Sequence, residues 1–416
     1  MGTRQRVNAN QIGVPNMMKT EVSPGPVSRE TDHGTEREEA EFQWRNVVRR
    51  RSFLKGLGLA SLAVPATALV PTSAFSLTTE ETQGAANKGK LTRGDTAILR
   101  FLAAVELIES DLWVQYNELG GIKGGNPSYI AALSNLDGDM PQYISDNTDD
   151  ELSHAAFLNA YLKSRGAEPV DLDRFRTLPS SKAKGARQLG RLTNLLKLDV
   201  DLSWYTRYRS EENPDLGAVF NGPFTISGEP GIPLNDTDTP PNTPQPVPPT
   251  TAHSRRMQAI ANTAGFHFAY IEQGGASLYA SLTTKATDLE VLRIIVSIGG
   301  VEVDHFGLWH DKAGNAVAQP LAGVKDPKTG LTFPDLNSRA NELTQTNLIL
   351  PEPCDFLAGE NLPPCSVIRP SSTKFGGAVA TINSFTQDLL FLGQSQEFFE
   401  FVTQLAIAAD AAHREI

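Results

Sequence analysis

The sequence predicts an all-α fold built around a four-helix bundle, and three observations carry that reading. Four segments read as amphipathic helices, with apolar residues returning at three- and four-residue steps. The motif Glu-x-x-His falls on two of them, at Glu151/His154 and Glu302/His305. Each copy follows a helix-like segment carrying Glu-x6-Tyr, Glu109/Tyr116 before the first and Glu272/Tyr279 before the second. Residues three apart on a helix share a face, so one Glu and one His can grip one metal ion. Two such pairs, with one carboxylate from each of two other helices, make the six-ligand cage of a dinuclear carboxylate centre. A third match, Glu30/His33, sits in a polar stretch with no apolar stripe and is set aside.

The first helix is expected over Gly94–Leu119, on the stripe Ile98, Leu102, Val105, Leu112, Tyr116 and Leu119. Position 109 breaks the stripe with Glu, and a carboxylate on a buried seam needs a partner. Glu106, one turn away, is the alternative ligand from this helix. Gly120 and Gly121 follow as a stop. The second helix is expected from Thr148 to Arg165, with Gly166 after it. Thr148-Asp149-Asp150-Glu151 also reads as a capping box, in which Glu151 would only bond back to the first turn. That reading leaves His154, beside Ala155, Leu158 and Leu162, without a purpose.

Residues 166–253 form a long gap. A helix is expected within it near Gly185–Tyr208, on Leu189, Leu192, Leu195, Leu196 and Val200. The gap closes in a Pro-rich stretch, Pro240–Pro249, that should be extended. The third helix is expected over Ser254–Leu282, with Glu272 set among Phe268, Tyr270, Ile271 and Gly275. The fourth opens on the capping box Thr287-Asp288-Leu289-Glu290 and runs past Glu302 and His305 to Trp309. Glu302 lies three turns beyond that box and cannot be its cap. Gly299 and Gly300 would weaken this helix unless close packing required them. Residues 311–370 are rich in Pro, Gly and Asn and read as loop, and a last helical stretch is expected near Gly376–Ala412.

Arg50-Arg51-Ser52-Phe53-Leu54-Lys55, ahead of the uncharged run Gly56–Val70, has the pattern of a twin-arginine export signal. Ala74-Phe75-Ser76 fits a small-x-small cleavage site, so residues 1–76 are expected to be a leader removed near Ser76. An uncleaved anchor is the alternative, although the run is shorter than the roughly 20 residues a spanning helix needs. The partner implied is the twin-arginine translocation machinery, and the destination is the periplasm or the exterior. Residues 1–76 carry 10 Lys/Arg and 7 Asp/Glu, a net of +3, and the chain's −11 less this +3 leaves −14. So acidic a remainder has no electrostatic footprint for nucleic acid. Cys354 and Cys365 lie in a Pro-rich context, where they form either one local disulfide or two free thiols.

These residues resemble the ferritin-like superfamily, most of all the exported bacterial ferritin-like proteins related to plant desiccation-related proteins. Glu109–Tyr116 is similar to the first-helix Glu-x6-Tyr of bacterioferritins and manganese catalases, and Asp150–Leu158 to their second-helix ligand pair. The resemblance implies a bundle over residues 94–310, with its long crossover in the insertion at 166–253 and a loop-rich extension at 311–416. It implies two Fe or Mn ions bridged by Glu151 and Glu302, with His154 and His305 on one metal each and Glu109 and Glu272 as terminal ligands. Tyr116 and Tyr279 would hydrogen-bond ligand carboxylates. Oxygen and imidazole donors suit Fe or Mn, and the donor set lacks the thiolates of an iron–sulfur cluster. His310 is expected to support the site or lie at the surface.

Three functions fit: a di-metal oxidoreductase of oxidase or catalase type, an iron-binding protein without catalysis, or a structural, stress-protective bundle. Oxidative or desiccation stress is the setting the resemblance suggests. No phosphate loop, nucleophile triad or Schiff-base lysine stands out.

Overall fold

A computed structural model describes residues 89–202, 225–240, 243–336, 362–365 and 376–415. They belong to one compact unit, Thr82–Ile416. The twin-arginine motif, the cleavage site, His33 and Cys354 lie outside the described residues. Helix α1 spans Arg93–Gly120, the short α2 Pro127–Leu133 and α3 Met140–Ser164. Helices α4 (Ala252–Thr283) and α5 (Leu289–Ala313) follow the insertion. Helix α1 packs against α3, and α4 against α5, giving the two halves of an all-α bundle. Among the described residues no helix is long and apolar enough to cross a membrane.

Each helix boundary has a local cause. Thr92 caps α1 by accepting from the Asp95 N–H at 3.0 Å. Thr251 and Ser254 form a reciprocal capping box on α4. Asp288, not Thr287, caps α5. Glu290 is free of capping duty and instead pairs with Arg165 at the end of α3. Helix α4 is buried along nearly its whole length, because α2, α5 and the C-terminal segment all pack on it. That burial explains its run of small residues, from Ala259 through Gly265 to Gly275 and Ala276.

Helix α3 begins eight residues earlier than the sequence suggested, at Met140 with Pro141 in its first turn. Thr148 is therefore interior, and its hydroxyl donates to the Ile144 carbonyl at 2.6 Å rather than capping anything. The capping-box reading of Glu151 fails with it.

The expected helix at Gly185–Tyr208 is absent from its described part, residues 185–202. Leu192 and Leu195 are buried there, but on an extended strap that leads into strand β1, Leu198–Asp201. Asp111 of α1 holds the strap by accepting from the Leu192 and Thr193 N–H groups at 2.9 and 3.0 Å. A Cβ at Gly190 would stand 1.9 Å from the Arg176 carbonyl oxygen, an approach only glycine permits. Strand β1 pairs antiparallel with β2, Thr225–Glu229, in register Val200 with Ile226.

The C-terminal helical stretch is two helices, α6 (Ala378–Gln387) and α7 (Gln396–Asp410). Leu389 and Gly393, with φ of 63° and 97°, turn the chain between them. Asp410 closes the pair by accepting from the Ala378 and Val379 N–H groups at 2.8 and 3.0 Å. Helix α7 docks on α1. Cys365 is an exposed free thiol, and Cys354 lies outside the described residues.

Candidate metal centre

One carboxylate or Glu-His pair from each of α1, α3, α4 and α5 meets in the bundle interior. Two overlapping groups result: Glu106, Glu151, His154 and Glu302, and Glu151, Glu272, Glu302 and His305. Within each group the ligand atoms all lie within 4.8 Å of one another. Glu151 and Glu302 belong to both. His154 Nδ1 stands 3.4, 3.1 and 3.5 Å from oxygens of Glu106, Glu151 and Glu302. His305 Nδ1 stands 3.1 and 3.2 Å from Glu151 and Glu272.

Glu106, the alternative in the sequence reading, is the α1 residue within a ligand group, and Glu109 is in neither. Glu109 is buried beside them, its Oε1 without a hydrogen-bond partner. The Glu-x6-Tyr spacing expected Tyr116 at a ligand carboxylate, but its hydroxyl faces elsewhere. Its hydroxyl meets His267 Nδ1 at 2.8 Å and touches no ligand carboxylate. Tyr279 does behave as expected and donates to Glu106. In register, Glu106 matches Glu272, and Trp113 takes the position on α1 that Tyr279 holds on α4. Position 109 then matches Gly275, where a Cβ would lie 2.3 Å from Glu302 Oε2.

Several supporting residues carried no motif. Asn147 lies one turn before Glu151 and donates to Glu151 and Glu272 at 2.9 and 3.0 Å. Its own oxygen accepts from Trp309 Nε1 at 2.7 Å. Asp150 Oδ2 lies 3.2 Å from His305 Nε2 and can orient that ring. The i, i+4 spacing of Asn147 and Glu151 was a readable signal. Gly299 lets Tyr279 approach, since a Cβ there would stand 2.7 Å from the Tyr279 Cβ, whereas Gly300 has open space. His310 is buried against Phe306, outside both ligand groups.

Electrostatics show what the cluster lacks. Burial, then the charges of Glu151, Glu302 and other acids, holds the Glu109 carboxyl well above the usual range. Burial and Glu151 do the same to Glu302. Burial pushes Glu151 up to about 7, although hydrogen bonds from His154 and His305 pull it down. For both imidazoles burial acts to lower the pKa, but the surrounding carboxylates outweigh it and raise them. Glu106 Oε2 and both Glu302 oxygens are buried with no hydrogen-bond partner. Buried carboxyl oxygens without donors are costly to ionise unless a cation meets them. The four carboxylates of the two groups carry a formal −4, which two divalent ions would cancel. Hard oxygen donors with one imidazole each suit Fe or Mn. The donor set therefore fits a hard divalent cation, and Glu151 and Glu302 belong to both ligand groups.

A helical bundle with paired Glu-x-x-His motifs around buried carboxylates defines a metal-binding class of protein. The chain belongs to the ferritin-like domain family, whose model matches residues 94–315, just over half of its 416 residues. No curated protein and no solved structure matches it.

Proposed function

We propose that this chain is an exported ferritin-like protein that holds two Fe or Mn ions and uses them in redox chemistry on dioxygen or a peroxide. The observation that carries the reading is the sharing of Glu151 and Glu302 by two ligand groups in which Glu106 Oε2 and both Glu302 oxygens are buried without a hydrogen-bond donor. Glu106 and His154 complete one metal position, Glu272 and His305 the other. The ions would supply two one-electron redox steps and a Lewis-acidic place for oxygen ligands.

The residues around them have separable tasks. Tyr279 holds Glu106, and Asn147 holds Glu151 and Glu272 together, so three carboxylates are oriented before any ion arrives. The His154 and His305 side chains are 9% and 8% exposed, while Glu151, Glu272 and Glu302 are sealed. Small molecules would therefore approach between α3 and α5, past the half-exposed Asp150. The twin-arginine pattern at Arg50-Arg51 supports export in the folded state, and the resemblance suggests a role in oxidative or desiccation stress. Metal analysis of the purified mature protein tests the assignment. About two Fe or Mn per chain are expected, falling to near none in the His154→Ala/His305→Ala double variant with its helical signal intact. Equal metal in the double variant contradicts the site.

A further inference from the structure

The two halves of the metal centre match in their ligands and differ in what holds those ligands. Setting the Glu151/His154 pair of α3 in register with Glu302/His305 of α5 places Ile298 opposite Asn147 and Val301 opposite Asp150. Both polar residues stand on α3, and both counterparts on α5 are apolar. Asn147 donates to Glu151 and Glu272 at 2.9 and 3.0 Å, and Asp150 Oδ2 lies 3.2 Å from His305 Nε2. Ile298 is buried and has no polar group to offer. Val301 is part-buried and gives His154 no acceptor.

The inequality falls on the imidazoles. His305 Nδ1 faces Glu151 and Glu272 at 3.1 and 3.2 Å, so its Nε2–H is left for Asp150. That bond fixes the ring and its tautomer, with the Nδ1 lone pair turned toward an arriving ion. Glu106, Glu151 and Glu302 all approach His154 at Nδ1, and among the described residues no carboxylate pairs with its Nε2. The carboxylates do not offset this difference. Tyr279 holds Glu106 in one group as Asn147 holds Glu272 in the other, while Glu151 and Glu302 belong to both. A hydrogen-bonded partner behind a ligating imidazole is typically worth about 10- to 100-fold in metal affinity.

We propose that Asp150 and Val301 make the two metal positions unequal, so that the Glu272/His305 position fills first and the Glu106/His154 position fills second and exchanges its ion more readily. The inference rests on the metal reading above. Val301 sets the difference by withholding from His154 the acceptor that Asp150 gives to His305. A one-ion form is then a defined state of the protein. Chemistry that needs both ions is limited by metal supply at the weaker position, the one whose α1 ligand is Glu106. Glu106 Oε2, buried without a donor, still calls for an ion there, so the second position is weaker and not silent.

Metal-free full-length protein is titrated with Mn(II) and followed by calorimetry and electron paramagnetic resonance. Wild type should show two binding phases about 10- to 100-fold apart. At one equivalent the hyperfine signal of an isolated Mn(II) is expected, giving way to a spin-coupled pair at two. His305→Ala should lose the tight phase, whereas His154→Ala should keep it. Asp150→Ala should draw the two phases together by weakening the first. Val301→Asp should draw them together by tightening the second, a gain that a misfolded or merely loosened variant cannot produce. A coupled pair from the first addition, a tight phase that survives His305→Ala, or phases that stay apart in both Asp150→Ala and Val301→Asp would each overturn the proposal and leave the metal reading standing. A wild type that binds no Mn(II) overturns the metal reading and the proposal with it.

Discussion

Tyr279 of α4 donates its hydroxyl to the Glu106 carboxylate of α1, joining the two halves of the bundle at the metal centre. The contact orients Glu106 within its ligand group. It also marks the asymmetry of the site, because the matching position on α1 is Trp113, whose indole N–H has no hydrogen-bond partner.

Glu106→Gln should therefore lower metal affinity more than Glu109→Gln, and Tyr279→Phe should lower it by about 10- to 100-fold, the range for groups that orient a ligand. Calorimetric titration with Mn(II) reads all three. A Glu109→Gln effect equal to or larger than that of Glu106→Gln would restore the order suggested by spacing.

Two glycines on facing helices should behave oppositely. Gly275→Ala pushes a methyl group to within 2.3 Å of Glu302 Oε2, so metal content should fall sharply. Gly300→Ala meets nothing within 4 Å and is helical, so it should stabilise by up to about 1 kcal/mol. Thermal unfolding and metal analysis of both variants check the pair, and a destabilised Gly300→Ala would show that the surface there is not open.

How much of this could be read in the sequence depends on whether a residue's role was local. The four long helices and both Glu-x-x-His pairs were legible because helical periodicity alone puts those side chains on one face. The choice between Glu106 and Glu109 was not, because it turns on how α1 is rotated against α4, and that rotation is set by packing. Leu192, Leu195 and Val200 satisfy a helical stripe equally well as buried points on an extended segment. What decides for the strap is Asp111, distant in sequence, which takes up the Leu192 and Thr193 N–H groups. The Tyr116–His267–Asp388 hydrogen-bond chain joins residues over 250 positions apart and carries no local pattern.

A second buried network gives a pH prediction away from the metal. Arg256 of α4 pairs with Glu229, Asp238 and Asp326, so strand β2, the loop that follows it, the loop after α5 and α4 are tied together. Burial pushes Glu229 up to about 7, Thr329 and Arg256 pull it down, and Asp326 raises it further. A raised carboxyl binds its proton more tightly in the folded state than in the unfolded chain. Its stabilising effect is complete below the unfolded value near 4.5 and is lost as pH rises through about 7. Glu229→Gln should therefore flatten the fall in melting temperature between those values, and an unchanged slope would assign the fall to other groups.

Replacing Arg50 and Arg51 with Lys should leave precursor in the cytoplasm, since the twin-arginine pathway reads the paired guanidinium groups. Fractionation followed by immunoblotting detects this, and unchanged export would remove that part of the proposal.

The most direct test of the central claim is anomalous X-ray diffraction from crystals of the metal-loaded protein, collected at the Fe and Mn absorption edges. Two peaks are expected, both in contact with Glu151 and Glu302, one beside Glu106 and His154 and the other beside Glu272 and His305. A single peak, or peaks away from those residues in protein reconstituted with both metals, would contradict the account.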